Sequence, residues 1–223
     1  MTAEEIIQQF IAGMKNTGVL EYIAVFTGIA SVWYSRKENI LVYPTGLIST
    51  IIYIYLSFNV GLYGEGSVNF YYTVMSIYGW ILWTRKDTQQ HLLLKIASSS
   101  KKEWIYQLAF CSFFYVVIFV ILHWLKKNNY STETIPWADA FASSTAFTGM
   151  WLMAKKKIES WYWWIATNIA SIPLYFVKHY VFSSVYYIVL LIMAVFGLLE
   201  WIKRRNNNSL VVNNLPADFV QPR

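Results

Sequence analysis

Charged residues are scarce in this chain of 223 residues, since Asp, Glu, Lys and Arg together make up 13% of it. About a quarter of the residues in a soluble domain are charged, so the composition argues against an ordinary soluble domain. Cysteine is almost absent as well. The single thiol, Cys111, excludes an internal disulfide framework and a cysteine-based metal cluster, and we interpret it as a small packing residue.

The motifs of common catalytic machinery are also missing. The sequence has no Walker loop, no HExxH pair, no Asp-rich diphosphate motif and no Ser-His-Asp set. Its three histidines, His91, His123 and His179, are too scattered to suggest a metal site. We therefore expect neither an enzyme, nor a cofactor or metal ion, nor an ATP-driven pump. The basic residues fall at segment ends rather than in one patch, which argues against nucleic-acid binding.

Long apolar blocks, separated by short basic stretches, are what the sequence has in abundance. It is 57% hydrophobic and 19% aromatic, and the blocks predict an all-α membrane protein with seven transmembrane helices. We place the spans at roughly 17–35, 40–58, 62–84, 104–125, 137–154, 160–178 and 184–203.

Both ends of the chain differ from these blocks. Residues 4–15 have apolar side chains on one helical face and are too few to span a bilayer, which predicts a short N-terminal interfacial helix on the membrane surface. The acidic start of the chain does not resemble a cleavable signal peptide. Residues 206–223 are polar and include two prolines, which predicts a disordered cytoplasmic tail.

Lys and Arg residues are distributed unequally between the two sides of the predicted spans. Fourteen of the 18 fall in the segments after the odd-numbered spans, and four fall on the side of the N-terminus. Because loops rich in Lys and Arg stay in the cytoplasm, we expect the N-terminus outside and the C-terminus in the cytoplasm.

Short sequence matches recur at a nearly constant offset. Phe26-Thr27-Gly28 recurs as Phe147-Thr148-Gly149, 121 residues later, and Tyr78-Gly79 with Trp83 recurs as Phe196-Gly197 with Trp201, 118 residues later. The matches predict a 3+1+3 parallel repeat, with units at 17–84 and 137–205 joined by a loop and linker helix at 85–136. The surface helix (1–16) precedes these units and the tail (206–223) follows them. Solute sites in parallel repeats lie near the midplane, between the units.

The sixth span combines aromatic and amide side chains. On a helix, Trp161 and Asn168 lie within about 20° of each other, and Trp164 lies about 60° away. A carboxamide in hydrocarbon is costly unless its donors and acceptors are satisfied. We therefore interpret this face as a site for a flat, polar solute that contains a ring. An interfacial aromatic belt plus one interhelical asparagine is the alternative.

The third span has a polar face that would border the same cavity. Asn69, Tyr72, Ser76, Trp80 and Trp83 fall within about 80° of one another on a helix. We count all five as candidate solute-binding residues. The alternative is an ordinary hydrogen-bonded seam between helices.

Several of these residues resemble motifs of the PnuC-type vitamin transporters, and the resemblance covers residues 18–205. Trp161-x-x-Trp164-x-x-x-Asn168 resembles the WxxWxxxN motif of that family, and Tyr78-Gly79-Trp80-x-x-Trp83 resembles the YGWxxW of its third core helix. Asp139-Ala140-Phe141 and Glu159-Ser160-Trp161 resemble the starts of the family's fifth and sixth spans. By this resemblance, Trp161, Trp164 and Asn168 bind the solute.

The resemblance implies a transporter in the inner membrane of a bacterial cell, with the fold of SWEET sugar transporters and assembled as a homotrimer. It further implies facilitated diffusion of nicotinamide riboside, which a cytosolic kinase then traps by phosphorylation. Asn69 stands where such transporters often have Gln, so thiamine, riboflavin or a deoxynucleoside are alternative solutes. A sugar carrier and a seven-helix receptor are more distant alternatives.

Overall fold

The computed structural model describes residues 2–59, 63–88, 90, 92–130 and 134–213. Within them the chain is all-α, apart from two isolated bridges. The helices are α1 (Ala3–Asn16), α2 (Val19–Arg36), α3 (Val42–Asn59), α4 (Tyr63–Thr84), α5 (Lys101–Lys127), α6 (Pro136–Ala154), α7 (Glu159–Val177) and α8 (Val181–Asn213). The all-α class predicted from the apolar blocks is confirmed.

Most of these helices begin and end within three residues of the predicted spans, but α8 does not. The sequence predicts a disordered tail from residue 206, whereas α8 continues to Asn213. The structure differs from the expectation there: no proline, which would break a helix, occurs between Asn206 and Pro216, and the chain stays helical through Asn213. The remainder of the predicted tail, residues 214–223, lies outside the described residues.

The first helix is separate from the bundle of longer helices. α1 and α2 meet at an angle of 106°, as expected for a surface helix that leads into a spanning one. A capping box between Thr2 and Glu5 satisfies backbone N–H groups at the start of α1. Its other end packs against α8, where Phe10 and Phe182 have ring centroids 5.8 Å apart.

The remaining helices form two groups of three, α2–α4 and α6–α8. The helix between them in the chain, α5, lies at the periphery. α2 contacts α3 and α3 contacts α4, while α6 contacts α7 and α7 contacts α8. Contacts of α2 with α8 and of α4 with α6 join the two groups. α5 packs on α6, and Gln107 is its buried residue. The space between α2–α4 and α6–α8 is therefore where residues of both groups meet.

Length and composition allow several of the described helices to cross a bilayer. α5 and α8 meet this criterion alone, and α1 with α2 meets it as a bent pair. α3, α4, α6 and α7 have 18 to 22 residues, which is about 27–33 Å at 1.5 Å per residue. They are less apolar because they carry polar side chains inward. On α6, for example, Ser144, Thr145 and Thr148 are buried.

Candidate functional site

Four large aromatic side chains meet at one end of the space between the two helix groups. We call Tyr43, Trp83, Trp161 and Trp201 the indole cluster; each is at most 3% exposed. The centroids of the Trp83 and Trp201 rings are 6.2 Å apart. Tyr43 stands edge-on to Trp83 at 5.3 Å, and Trp161 stands edge-on to Trp201 at 5.5 Å. These are the tilted and edge-to-face arrangements that aromatic pairs prefer.

Two glycines make the indole cluster possible. A Cβ atom at Gly197 on α8 would lie 2.5 Å from Cη2 of Trp161, and one at Gly79 on α4 would collide with the ring of Tyr43. Only hydrogen on the α-carbon leaves room for each ring against the neighbouring helix backbone. Consequently the ring of Trp161 is buried against α8.

Indole N–H groups tie the two helix groups together. Trp83 Nε1 on α4 donates to the carbonyl oxygen of Ala154 on α6 at 3.2 Å. Trp201 Nε1 on α8 donates to the carbonyl oxygen of Ser35 on α2 at 3.0 Å. Trp161 Nε1, by contrast, is buried without an acceptor among the described residues. An unpaired buried donor costs about 1–3 kcal/mol, so this N–H is available to an acceptor on a ligand.

A second aromatic contact lies one helical turn further along α7. The half-buried Trp164 ring packs over Gly149 of α6, whose Cβ atom would lie 3.2 Å from Cε2 of the indole. Its ring centroid is 6.1 Å from that of Tyr72 on α4. Tyr72 also stands edge-on to Phe147 at 6.2 Å. This group presents both π faces and a phenol, which is a surface suited to a flat ring.

Amide and hydroxyl groups are buried on the same two helices. Asn168 on α7 is 3% exposed, and Ser76 and Asn69 on α4 are 3% and 9% exposed. Asn69 Nδ2 donates to the carbonyl oxygen of Glu65 at 3.0 Å. Because a buried carboxamide requires polar partners, Asn168 is suited to pairing with a polar group of a solute.

The structure brings together most, but not all, of the predicted site residues. Trp83 and Trp161 join the indole cluster, Trp164 meets Tyr72, and the three buried polar residues lie on the same two helices. Trp80 is 38% exposed, so its position on the predicted face of α4 does not place it among the others.

Sequence reasoning missed several residues around the site. Tyr43 and Trp201 complete the indole cluster, and Phe147 packs against Tyr72. Tyr175 and Tyr187, on α7 and α8, are stacked with centroids 5.0 Å apart. The repeat predicted from the sequence contained a signal for two of them, because Trp201 lies 118 residues after Trp83 and Trp161 lies 118 residues after Tyr43.

A charged pair, rather than a predicted site residue, lies at the start of α6. Asp139, near the start of α6, pairs with Lys178 at 2.7 Å and accepts a hydrogen bond from the backbone N–H of Ile135.

A cleft of about 350 Å³ lies between α5 and α6, beside Tyr106, Trp151 and Lys155. None of its lining residues belongs to the predicted site. The buried indole N–H of Trp161, which has no acceptor among the described residues, is a stronger indication of a site than this open cleft.

Apolar helices that enclose buried aromatic and amide groups are typical of multi-pass membrane transporters. A family model described as the nicotinamide mononucleotide transporter matches residues 18–203. The chain therefore belongs to this family, the PnuC-type transporters, and it is a multi-pass membrane transporter rather than an enzyme. The resemblance drawn from its sequence motifs is confirmed.

Curated relatives are similar over most of their length. The nicotinamide riboside transporter PnuC of Escherichia coli is 23% identical over 86% of this chain and 88% of that protein. PnuC of Neisseria mucosa is 26% identical over 88% of this chain and 77% of that protein. The riboflavin/roseoflavin transporter RibM of Streptomyces davaonensis is 21% identical over 85% of this chain and 88% of that protein.

A solved structure has the same fold. The crystal structure of the vitamin B3 transporter PnuC superposes with a TM-score of 0.68, covering 93% of this chain and 94% of the other, at 24% sequence identity. The long helices of the present structure are thus arranged as in a known transporter.

Proposed function

We propose that the chain carries a vitamin, nicotinamide riboside, into the cytoplasm by facilitated diffusion. The observation that carries this proposal is the WxxWxxxN face of α7, on which Trp161 has a buried indole N–H without an acceptor and Asn168 has a buried carboxamide. Trp164 and Tyr72 lie beside them. A cationic pyridinium ring placed over an indole or phenol face gains about 0.5–2 kcal/mol, while ribose hydroxyls and the carboxamide pair with Asn168. The names of the two PnuC relatives support the same solute.

The architecture that we propose for this task is seven spanning helices in a parallel 3+1+3 repeat, with α5 as the linker. Equivalent contacts support the repeat. Tyr43 packs on Gly79 in the first unit as Trp161 packs on Gly197 in the second, and each residue of the second pair lies 118 residues after its counterpart in the first. The protein lies in a bacterial inner membrane in this proposal. The unequal distribution of Lys and Arg supports a cytoplasmic position for its C-terminus.

Transport in this proposal proceeds by alternating access, in which the two units rock around a site at the membrane midplane. Facilitated diffusion is reversible, so net uptake requires that the solute be removed inside. A cytosolic kinase that adds a phosphate would do this, because the anionic product no longer fits a site suited to a cation. Assembly as a homotrimer follows from the family resemblance and belongs to the same proposal.

Other solutes with the same chemistry are the alternatives. Thiamine has a cationic ring joined to a second ring, and would use the same aromatic surfaces. The similarity to RibM makes riboflavin a second candidate. Its three-ring system is uncharged and larger, so it would rely on stacking rather than on cation–π attraction.

Calorimetry on detergent-purified protein tests the proposal. Nicotinamide riboside, thiamine and riboflavin are titrated separately, with ribose as the matched control for the sugar alone. We expect saturable binding of nicotinamide riboside and none of ribose. Binding of riboflavin or thiamine instead would reassign the solute, and failure of all three ring compounds would favour a sugar carrier or a receptor.

A further inference from the structure

An ion pair joins the two helix groups beside the indole cluster. Lys156 Nζ lies 2.6 Å from Glu38 Oε1, and Lys156 is 1% exposed although it carries a charge. Arg204 Nη1 on α8 lies 3.8 Å from the other carboxylate oxygen of Glu38. A lysine is rarely so buried unless it is paired, and removing one partner of a buried pair leaves an uncompensated charge.

The two residues occupy equivalent turns of the two groups. Glu38 follows α2 and Lys156 follows α6, 118 residues apart. Both have left-handed backbone conformations, with φ of 56° and 51°. The N–H of each donates to the carbonyl oxygen three residues earlier, which is Ser35 or Met153. The pair therefore joins corresponding points of the two groups, where a relative movement of the groups must pull it apart.

This ion pair covers the indole cluster. Lys156 Nζ lies 4.5 Å from the centroid of the Trp83 ring, within the range of cation–π attraction. Trp83 donates to Ala154, two residues before the lysine, and Trp201 donates to Ser35, three residues before the glutamate. The turns and the indoles thus form one continuous closure at this end of the space between the groups.

The opposite end is held differently. There the pair Asp139–Lys178 joins α6 to α7, which belong to the same group. That contact therefore does not tie one group to the other. Of these two ion pairs, the one that joins the groups lies at the end that carries the basic turns.

We propose that Glu38 and Lys156 form the lock of a cytoplasmic gate whose barrier is the indole cluster, and that this lock must break for solute to leave. The inference deepens the proposed function, on which its cytoplasmic direction and its role in alternating access rest. A purely structural contact would hold the groups together without controlling access to the space behind the indoles. If the pair locks a gate, removing its charges exposes the space behind the indole cluster. If the pair is only structural, that space stays closed.

Alkylation of a cysteine behind the lock separates these roles. Ser35 is 3% exposed, and its hydroxyl donates to the sulfur of Met153, so Ser35→Cys in a Cys111→Ser background places a single thiol under the gate. Inside-out membrane vesicles are treated with a membrane-impermeant maleimide. We expect slow labelling of the parent, and labelling about tenfold faster or more in Lys156→Met, because losing the lysine leaves the partly buried Glu38 carboxylate without its 2.6 Å partner and so disfavours the closed arrangement. Methionine retains an unbranched stem over Trp83.

Further variants make the experiment decisive. Glu38→Gln should also speed labelling, and combining it with Lys156→Met should add little, because both changes remove the same interaction. Lys157→Met is the matched control: Lys157 pairs with Glu103 at 2.7 Å, a residue 41% exposed, and its loss should leave labelling slow. Melting temperatures by size-exclusion thermal assay report the fold of every variant.

Two results would overturn the gate. One is unchanged labelling in both Lys156→Met and Glu38→Gln; the other is equally fast labelling in Lys157→Met. Labelling that accelerates only in right-side-out vesicles would place the lock on the outer side and contradict its cytoplasmic assignment. The assay requires no solute. Accelerated labelling in a protein that fails to bind nicotinamide riboside would therefore support the gate proposal and contradict the proposed solute.

Discussion

Trp164 of α7 and Tyr72 of α4 face each other across the two helix groups, with ring centroids 6.1 Å apart at an angle of 53°. The contact places Trp164, a residue of the WxxWxxxN motif, against the face of α4 that carries Asn69, Tyr72 and Ser76. It lies one turn of α7 away from Trp161, whose ring is enclosed by Gly197 and Trp201. The half-buried indole is thus the better stacking surface for a solute, and the enclosed one contributes its N–H.

Replacing Trp164 with Ala should weaken binding by about tenfold or more while the protein still expresses and folds. The change removes a stacking surface worth about 0.5–2 kcal/mol for a cation, together with the apolar contact around it. Calorimetric titration with nicotinamide riboside measures the effect. Trp80→Ala is the matched control, because that indole is 38% exposed and should leave affinity unchanged. Unaltered affinity in Trp164→Ala would refute the aromatic site.

Replacing Asn168 with Leu should abolish uptake and leave the protein stable. Asn168 is 3% exposed, so leucine keeps the buried volume nearly unchanged and removes only the amide that would pair with the solute. Uptake of labelled nicotinamide riboside into cells and melting temperature of purified protein are the two measurements. Retained uptake would make Asn168 a packing residue.

Introducing a methyl group at Gly197 should destabilise the protein. Its Cβ atom would lie 2.5 Å from the rigid Trp161 ring, and overpacking of a core costs about 1–3 kcal/mol. Thermal unfolding of Gly197→Ala in detergent should show a lower melting temperature. Gly64→Ala is the control, because nothing lies within 4 Å of its Cβ position. An equal melting temperature in both variants would contradict the close approach of α8 to α7.

Replacing Glu159 with Ala should loosen the loop before α5. The Glu159 carboxylate accepts hydrogen bonds from the backbone N–H and the hydroxyl of Ser99, both at 2.8 Å, and is 5% exposed. Losing it leaves the Ser99 N–H unpaired, at a cost of about 1–3 kcal/mol. Proteolysis between α4 and α5 should accelerate, and the melting temperature should fall.

The control for that variant is an exposed carboxylate on α8. Glu200 pairs with Arg204 at 3.1 Å but is 39% exposed, and such surface pairs contribute about 0–1 kcal/mol. Glu200→Ala should therefore leave both protease sensitivity and melting temperature nearly unchanged. A loss as large as that of Glu159→Ala would show that charge, rather than the buried hydrogen bonds, accounts for the effect.

Helix positions were predictable because helical periodicity and apolar composition are local properties. The bounds of α4 and α7 differ from prediction by one residue at most ends, and the motif on α7 identified the family. The continuation of α8 to Asn213 was missed because a polar composition predicts solvent exposure, which does not by itself end a helix.

The amino-acid sequence by itself determined the all-α class, the family and the face of α7 that bears Trp161, Trp164 and Asn168, because spacing along one helix defines a shared face. Only the tertiary structure decided that Trp161 is enclosed while Trp80 is exposed. It alone also placed Glu38 against Lys156, 118 residues away. The physical reason is that a side chain's burial and its partners depend on which helix packs beside it, and the close approach at Gly79 and Gly197 sets that packing.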